Sequence, residues 1–297
     1  MKRLLSILLM MLLLSGCTPS RDHAQVAATT LPVYEFTSAL CEGTGITVTR
    51  LVTEEVSCLH DYSLNVRQVR AAEAAELIVI SGAGLEAFLD DLLLDADTVD
   101  ASTGIELVCP EEGHHDHGHK EEAHHDHDGH SHDKDPHIWL SPANAATMAE
   151  NICAGLCEQY PEHEEIFRSN LQNLHSRIEE VRTYGENTLS SLSCRDIITF
   201  HDGFAYFADA FGLTILEAVE EESGSEASAK ELIHLIEEVE HHDLPAIFTE
   251  KSGSVSAASI IARETCCETH TLDMAMAGDS WFDAMYHNID TIKEALQ

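Results

Sequence analysis

Basic residues are scarce in this chain, which carries 16 Lys and Arg against 53 Asp and Glu and a formal charge of -37. A field of that sign repels phosphate backbones and anionic lipid headgroups, so we expect no nucleic-acid partner. Aromatic residues are also few, at 6%, yet the apolar fraction of 44% suits a globular α/β protein better than a fibrous or disordered one. A length of 297 residues is enough for two domains.

The N-terminal apolar run at 4–14 is too short to span a bilayer comfortably. Lys2 and Arg3 precede it, which is the layout of a secretion signal. The sequence LSGC follows at 14–17 and resembles a bacterial lipobox, in which cleavage before Cys17 leaves a lipid-carrying thiol. We therefore expect a signal peptide at 1–17, a tether at 18–24 and a protein anchored on the extracytoplasmic face of the cell membrane, at the cell surface or in a periplasm. The alternative is an ordinary cleaved signal with an incidental cysteine.

Eight cysteines remain after Cys17, an even number that permits disulfides in an exported chain but selects no pairing. Cys153 and Cys157 lie four residues apart on a predicted helix, so a zinc pair is conceivable. Because no second pair of ligands lies nearby in the sequence, we interpret them as small buried apolar residues.

Strand-like segments alternate with helical ones, which predicts mainly parallel sheets flanked by helices. The predicted strands are 25–30, 46–52, 77–81, 196–200, 213–219, 246–249 and 270–272. The predicted helices are 33–41, 65–75, 85–94, 227–240, 254–264 and 281–296. We expect an α/β protein of two lobes, at 25–157 and 191–297.

A long helix is predicted between the lobes, within a connecting segment at 158–190. Apolar residues recur at three- and four-residue intervals from 161 to about 189. Such a helix would be about 40 Å long. It would serve as a rigid connector, although it could instead pack on one lobe only.

The segment 110–135 interrupts this alternation, because histidines and acidic residues replace the apolar positions that a core needs. We expect a disordered insertion in the first lobe that binds metal ions as an auxiliary site. Its histidines are His114, His115, His117, His119, His124, His125, His127, His130 and His132.

Three other histidines follow predicted strands or turns, where an α/β sheet opens toward a ligand. They are His60, His137 and His201, and Asp273 follows the last predicted strand. Three neutral imidazoles and one carboxylate can close a tetrahedral shell around Zn²⁺. Glu250, after another strand, could orient a ligand histidine.

Several motifs resemble those of the metal-binding solute-binding lipoproteins of ABC importers, the cluster A-I family, over nearly the whole mature chain. The most specific is DPHIWLSP at 135–142. TTLPVYEF at 29–36, AELIVISG at 75–82 and GLE at 84–86 support it in the first half. FHDGF at 200–204 and GDSW at 278–281 support it in the second half.

The resemblance implies a metal held between the lobes by His60, His137, His201 and Asp273. His201 stands where manganese-selective members usually have glutamate, which favours Zn²⁺ over Mn²⁺ as the transported ion. The expected partners are an ABC permease and its ATPase subunit, and the expected state is a monomer. Two departures stand out: no proline immediately precedes His60, and Met274 rather than proline follows Asp273, so water could replace that carboxylate.

Two other functions remain to be weighed against metal import. A zinc hydrolase would also use three protein ligands, but no His-Glu-x-x-His run occurs and a closed four-ligand shell suppresses hydrolysis, so we expect no enzyme. An adhesin or an extracellular zinc buffer could use the same fold without a permease. The sequence does not exclude that alternative.

Overall fold

The computed structural model describes residues 24–54, 59, 62–94, 96–108, 134–219, 227–251, 253 and 255–297. These residues form two α/β lobes joined by a long helix, as predicted. Within them, no helix combines the length and the apolar character needed to cross a membrane.

The first lobe is built on a parallel sheet with strand order β2-β1-β3-β4. Its strands are β1 (Val26–Ala28), β2 (Val48–Arg50), β3 (Leu77–Ile80) and β4 (Thr98–Asp100). Its helices are α1 (Leu31–Leu40), α2 (Val66–Ala74), the short α3 (Asp90–Leu93) and α4 (Pro142–Gln159). β4 was not predicted from the sequence, and the helix predicted at 85–94 is a 3-10 turn at Ala87–Leu89 followed by α3.

The helix starts follow from local chemistry. Asn65 accepts hydrogen bonds from the backbone of Arg67 and Gln68, and the Gln68 side chain returns a bond to the Asn65 backbone. This reciprocal cap satisfies backbone N–H groups that a helix start leaves without partners. Ser141 caps α4 in a similar way through the Asn144 N–H.

The connecting helix α5 (Glu164–Leu189) has 26 residues, which corresponds to about 39 Å. A 3-10 turn at Pro161–His163 precedes it. Its buried residues include Phe167, Leu174, Ile178 and Val181, spaced so that one face meets the core.

The second lobe repeats the architecture of the first with strand order β6-β5-β7-β8, again with parallel pairing. Its strands are β5 (Asp196–Thr199), β6 (Thr214–Ala218), β7 (Ala246–Glu250) and β8 (Glu268–Leu272). Its helices are α6 (Ala205–Phe211), α7 (Ala229–His241), α8 (Ser256–Thr265) and α9 (Trp281–Leu296). The predicted bounds agree with these within a few residues, except that no bounds were predicted for α6.

Two tryptophans, both completely buried, tie the lobes together. Trp139 donates its indole hydrogen bond to the Met274 carbonyl at 2.8 Å, and Trp281 donates to the Trp139 carbonyl at 2.9 Å. Burying an indole removes a large apolar area from water, and the indole N–H then needs an acceptor. The two indole rings therefore fix the junction between the lobes in two ways: they pack in its core, and their hydrogen bonds hold the backbone in a defined orientation.

Glu35 of α1 adds a polar contact across this junction. Its carboxylate accepts hydrogen bonds from the Ser280 hydroxyl at 3.1 Å and from the Trp281 N–H at 2.6 Å, at the start of α9. Burial raises the pKa of Glu35, although these hydrogen bonds oppose the rise. A carboxylate at a helix N-terminus also complements the helix dipole.

Six cysteines in the described ranges are free thiols: Cys41, Cys153, Cys157, Cys194, Cys266 and Cys267. Burial raises the pKa of Cys41 and of Cys153 to about 12. Because metal binding needs the thiolate, Cys153 suits the interpretation as a small buried residue better than a zinc pair.

Candidate metal centre

His137 and His201, two of the predicted ligands, lie side by side where the lobes meet, with the edge of one ring toward the other. Their Nε2 atoms are 3.4 Å apart, and their ring planes are nearly perpendicular at 86°. His137 comes from the first lobe, immediately before a 3-10 turn at Ile138–Leu140, and its exposed fraction is 2%. His201 comes from the second lobe, two residues after β5 ends.

Asp135 fixes the orientation of the His137 ring. One of its carboxylate oxygens, Oδ1, lies 2.8 Å from His137 Nδ1 and accepts the His137 backbone N–H at 2.8 Å. A carboxylate oxygen accepts hydrogen bonds, so this contact fits the tautomer of the His137 ring that has a proton on Nδ1 and a lone pair on Nε2. Metal-binding histidines are typically oriented by a carboxylate in this way.

Asp135 is itself held in place by the surrounding chain. Its N–H donates to the Val108 carbonyl at 3.0 Å, and its carbonyl accepts the Tyr206 hydroxyl at 2.9 Å. The sequence analysis placed Asp135 inside a disordered insertion ending at 135. That boundary is wrong at its carboxyl end, because Asp135 is 5% exposed and firmly hydrogen-bonded.

The separation of the two imidazoles suits a zinc ion. Two nitrogen ligands at 2.0–2.1 Å from a tetrahedral centre lie about 3.3–3.4 Å apart. The observed Nε2 to Nε2 distance of 3.4 Å falls at this value. A cation bound by both nitrogens would therefore need no large movement of either ring.

Gly203 allows the histidines to approach each other. A β-carbon at Gly203 would lie 2.6 Å from Met274 Cε, 2.8 Å from His201 Cδ2 and 2.9 Å from His137 Nδ1. Those distances are too short for any other residue without displacement of the ring atoms. The Met274 methyl group and both imidazole rings therefore border the same space beside Gly203.

Glu250, the last residue of β7, lies beside His201, with its Oε2 3.9 Å from His201 Nδ1. The Glu250 side chain is 5% exposed. The distance exceeds that of a hydrogen bond but leaves the carboxylate close enough to favour a protonated Nδ1. The position fits the orienting role suggested by the sequence.

Asp273 directly follows β8 at the same carboxyl edge of the sheet. Its Oδ1 accepts the Ala275 N–H at 2.8 Å, and its Oδ2 lies 3.3 Å from Lys251 Nζ. Within the described part of the chain, no three His, Cys, Asp or Glu side chains come together closely enough to hold a metal. Asp273 therefore does not join the histidine pair as a third ligand in this structure, and its ligand role stays a prediction.

The other predicted site residues lie outside the described residues. They are His60, the nine histidines of the insertion and the lipidation candidate Cys17. Their roles stay predictions.

Sequence reasoning assigned no role to Asp135 or Lys251. The Asp-Pro-His spacing at 135–137 contained a usable signal, since a carboxylate two residues before a ligand can reach its ring. No sequence pattern indicated Lys251, because its contact with Asp273 depends on which strands pair.

Two parallel-sheet lobes around a rigid helix, with an imidazole pair preset for a cation at their junction, define a two-lobed metal-binding protein. The chain belongs to the ZnuA family, described as the periplasmic component A of a zinc-uptake complex, whose sequence profile matches residues 26–295.

Individual relatives agree with this family. The chain is 28% identical to the high-affinity zinc uptake system protein ZnuA of Bacillus subtilis, over 93% of this chain and 88% of the relative. It is also 28% identical to the zinc-binding lipoprotein AdcA of Streptococcus pneumoniae, over 91% of this chain but only 55% of AdcA. A crystal structure of ZnuA superposes with a TM-score of 0.77 at 26% identity, covering 92% of this chain and all of that structure.

Proposed function

We propose that this protein captures Zn²⁺ outside the cytoplasm and delivers it to the membrane permease of an ABC importer, driven by the ATPase subunit of that importer. The observation that carries the proposal is the His137–His201 pair, whose Nε2 atoms stand 3.4 Å apart with one ring oriented by Asp135. The protein binds and releases its ligand and is not an enzyme.

His137 and His201 supply two nitrogen ligands, and His60 and Asp273 complete the shell. Imidazole nitrogens favour zinc over manganese, which prefers oxygen ligands. Zinc is therefore the cargo, and Mn²⁺ binds more weakly. Because the rings must be neutral to coordinate, acid conditions release the metal.

The lipid on Cys17 keeps the protein on the extracytoplasmic face of the membrane, within reach of the permease. The histidine-rich insertion, whose nine histidines lie within 114–132, collects zinc as an auxiliary site. The 26-residue connecting helix and the buried Trp139–Trp281 contact limit lobe movement, so release involves modest tilting and a local rearrangement near His60. The protein acts as a monomer.

The test is a competition titration of zinc and manganese against a chromophoric chelator, with the full chain in detergent. The variants are His137→Ala, His201→Ala and a deletion of 113–133. His234→Ala is the matched control, since His234 is a partly exposed histidine that pairs with Glu217 at 3.0 Å, apart from the candidate site. We expect tight one-to-one zinc binding that is lost in the first two variants and retained in the control.

Retention of that tight site after deletion of 113–133 would separate it from the auxiliary loop. If His137→Ala and His201→Ala bind zinc as tightly as the parent, and only the deletion weakens binding, the site assignment is wrong. A zinc-limited growth assay of a strain lacking the gene then addresses transport. Normal zinc uptake in that strain would favour an extracellular zinc buffer or an adhesin.

A further inference from the structure

Lys251 and Asp273 are neighbours because of the register of the second sheet. β7 and β8 pair in parallel up to Glu250 and Leu272, and the Lys251 N–H donates to the Leu272 carbonyl at 2.9 Å. Lys251 and Asp273 therefore face each other one step beyond the ladder. The Lys251 Nζ lies 3.3 Å from Asp273 Oδ2, and the exposed fractions of the two side chains are 57% and 15%.

The remaining contacts of Asp273 hold it in one place. Its backbone N–H donates to Asn288 Oδ1 at 2.7 Å, and Asn288 Nδ2 donates to the Asp273 carbonyl at 2.8 Å. Asn288 is completely buried in α9, so it is a fixed anchor. The Asp273 Oδ1 is committed to the Ala275 N–H, which leaves Oδ2 as the oxygen that a cation can reach by displacing the exposed lysine.

The next residue in the chain connects Asp273 to the junction of the lobes. Met274 follows Asp273, and its methyl group borders the space beside Gly203 that both imidazoles also border. The Met274 carbonyl is fixed by the Trp139 indole at 2.8 Å. Asp273 is therefore anchored close to the junction of the lobes, with its Oδ2 already paired with an ammonium group.

We propose that Lys251 is a specificity-determining residue, whose ammonium group competes with the bound cation for Asp273 Oδ2 and so discriminates against cations that depend on oxygen ligands. This inference rests on the proposed function. Zinc retains nitrogen ligands when the carboxylate is occupied, whereas Mn²⁺ prefers carboxylate and loses more of its binding energy. The lysine therefore weakens manganese binding more than zinc binding.

The size of the effect follows from the exposure of the pair. An ion pair with one largely exposed partner is weak, and its removal changes binding by about two- to fivefold. Loss of the positive charge also strengthens binding of any dication by a similar factor for both metals. That general contribution cancels in the ratio of the two affinities, so the zinc-to-manganese ratio isolates the competition for Asp273.

The experiment measures both affinities for the full chain in detergent by competition with a chromophoric chelator. The variants are Lys251→Met, Lys251→Arg, Asp273→Asn and the double variant Lys251→Met with Asp273→Asn. Lys230→Met is the matched control, because Lys230 is an exposed lysine at the start of α7. We expect Lys251→Met to lower the zinc-to-manganese ratio about two- to fivefold, while Lys251→Arg and Lys230→Met leave it unchanged.

The double variant decides the cause, since coupling between two residues is read from a double-mutant cycle. We expect Lys251→Met to have no effect on the ratio once Asp273 is Asn. The inference is wrong if the ratio stays constant in Lys251→Met, or if it changes equally with Asn at 273. Failure of the proposed function gives a different result, because the parent protein would then show no tight zinc site that depends on His137.

Discussion

The two lobes have the same strand order but use the carboxyl edges of their sheets differently. In the first lobe, polar groups at the carboxyl ends of the strands donate hydrogen bonds to one buried carboxylate. Glu86 accepts the Thr29 hydroxyl at 2.6 Å and the Ser81 N–H at 2.7 Å on Oε1, and the Gly82 N–H at 3.0 Å on Oε2. Thr29 follows β1 and Ser81 follows β3, so one side chain ties two strand ends together.

In the second lobe the strand ends carry side chains that face the junction between the lobes. His201 follows β5, Glu250 ends β7, and Asp273 follows β8. Parallel sheets bring such residues to one edge. That edge can bind a ligand only where its polar side chains are not all used in hydrogen bonds that hold the fold together. The comparison predicts that changes at Glu86 affect stability, whereas changes at the second edge affect metal binding.

The largest effect is expected from Glu86→Ala. The change leaves three buried donors without their acceptor, at about 1–3 kcal/mol each, so we expect the free energy of unfolding to fall by at least about 3 kcal/mol. Urea unfolding followed by circular dichroism measures this loss. Glu73→Ala, at an exposed position of α2, is the matched control and should leave stability nearly unchanged.

The zinc affinity of Glu86→Ala tests whether the first edge is separate from the metal site. Where Glu86→Ala is still folded, its zinc affinity should stay within about twofold of the parent, because distant and independent sites behave additively. A loss of zinc affinity as large as that of a histidine variant would contradict the separation between the two edges.

The titration of Glu86 is expected to appear in the pH dependence of the free energy of unfolding. Burial raises the pKa of Glu86 from 4.5 to about 7 against the opposing hydrogen bonds. The folded state therefore holds this proton more tightly than the unfolded chain. The stabilisation from Glu86 is complete below pH 4.5 and is lost as pH rises to about 7.

The side chain at 86 cannot titrate in the variant Glu86→Gln. The contribution of Glu86 to the loss of stability with rising pH should therefore be absent in this variant. We expect the difference in slope between parent and variant to account for at most about 3 kcal/mol over this range. Urea midpoints measured from pH 4.5 to about 7 test it. Parallel curves for the two proteins would mean that Glu86 is not protonated in the folded state.

At the junction with the second edge, Asp135→Asn should weaken zinc binding by about 10–100-fold, because the carboxylate that orients His137 and holds its Nδ1 proton is lost. A chelator competition assay measures the affinity. The matched control is Asp97→Asn, at an exposed position before β4, which should bind zinc like the parent. An unchanged affinity in Asp135→Asn would mean that other contacts, such as the edge-on packing of His137 against the Trp139 ring, keep the orientation of the imidazole.

Much of this difference between the lobes could be predicted from the sequence, but not all of it. The periodicity of apolar residues located most strands and helices, and the Asp-Pro-His motif located His137. The pairing of His137 with His201 depends on residues 64 positions apart, and only a resemblance to known families indicated it. No role was predicted for Lys251 or for Glu86 of the GLE motif, because their partners are set by strand register and by burial, which local patterns do not encode.

The smallest effect is expected from Glu250→Gln. The Glu250 carboxylate lies 3.9 Å from His201 Nδ1, too far for the direct bond that Asp135 makes, so its influence on His201 is mainly electrostatic. We expect zinc affinity to fall about two- to threefold, well below the loss in Asp135→Asn. Glu240→Gln, at an exposed position of α7, controls for the lost charge in the chelator competition assay. If Glu250→Gln weakens binding as strongly as Asp135→Asn, Glu250 moves into direct contact with His201 or the metal on binding, and the second edge is more adaptable than the first.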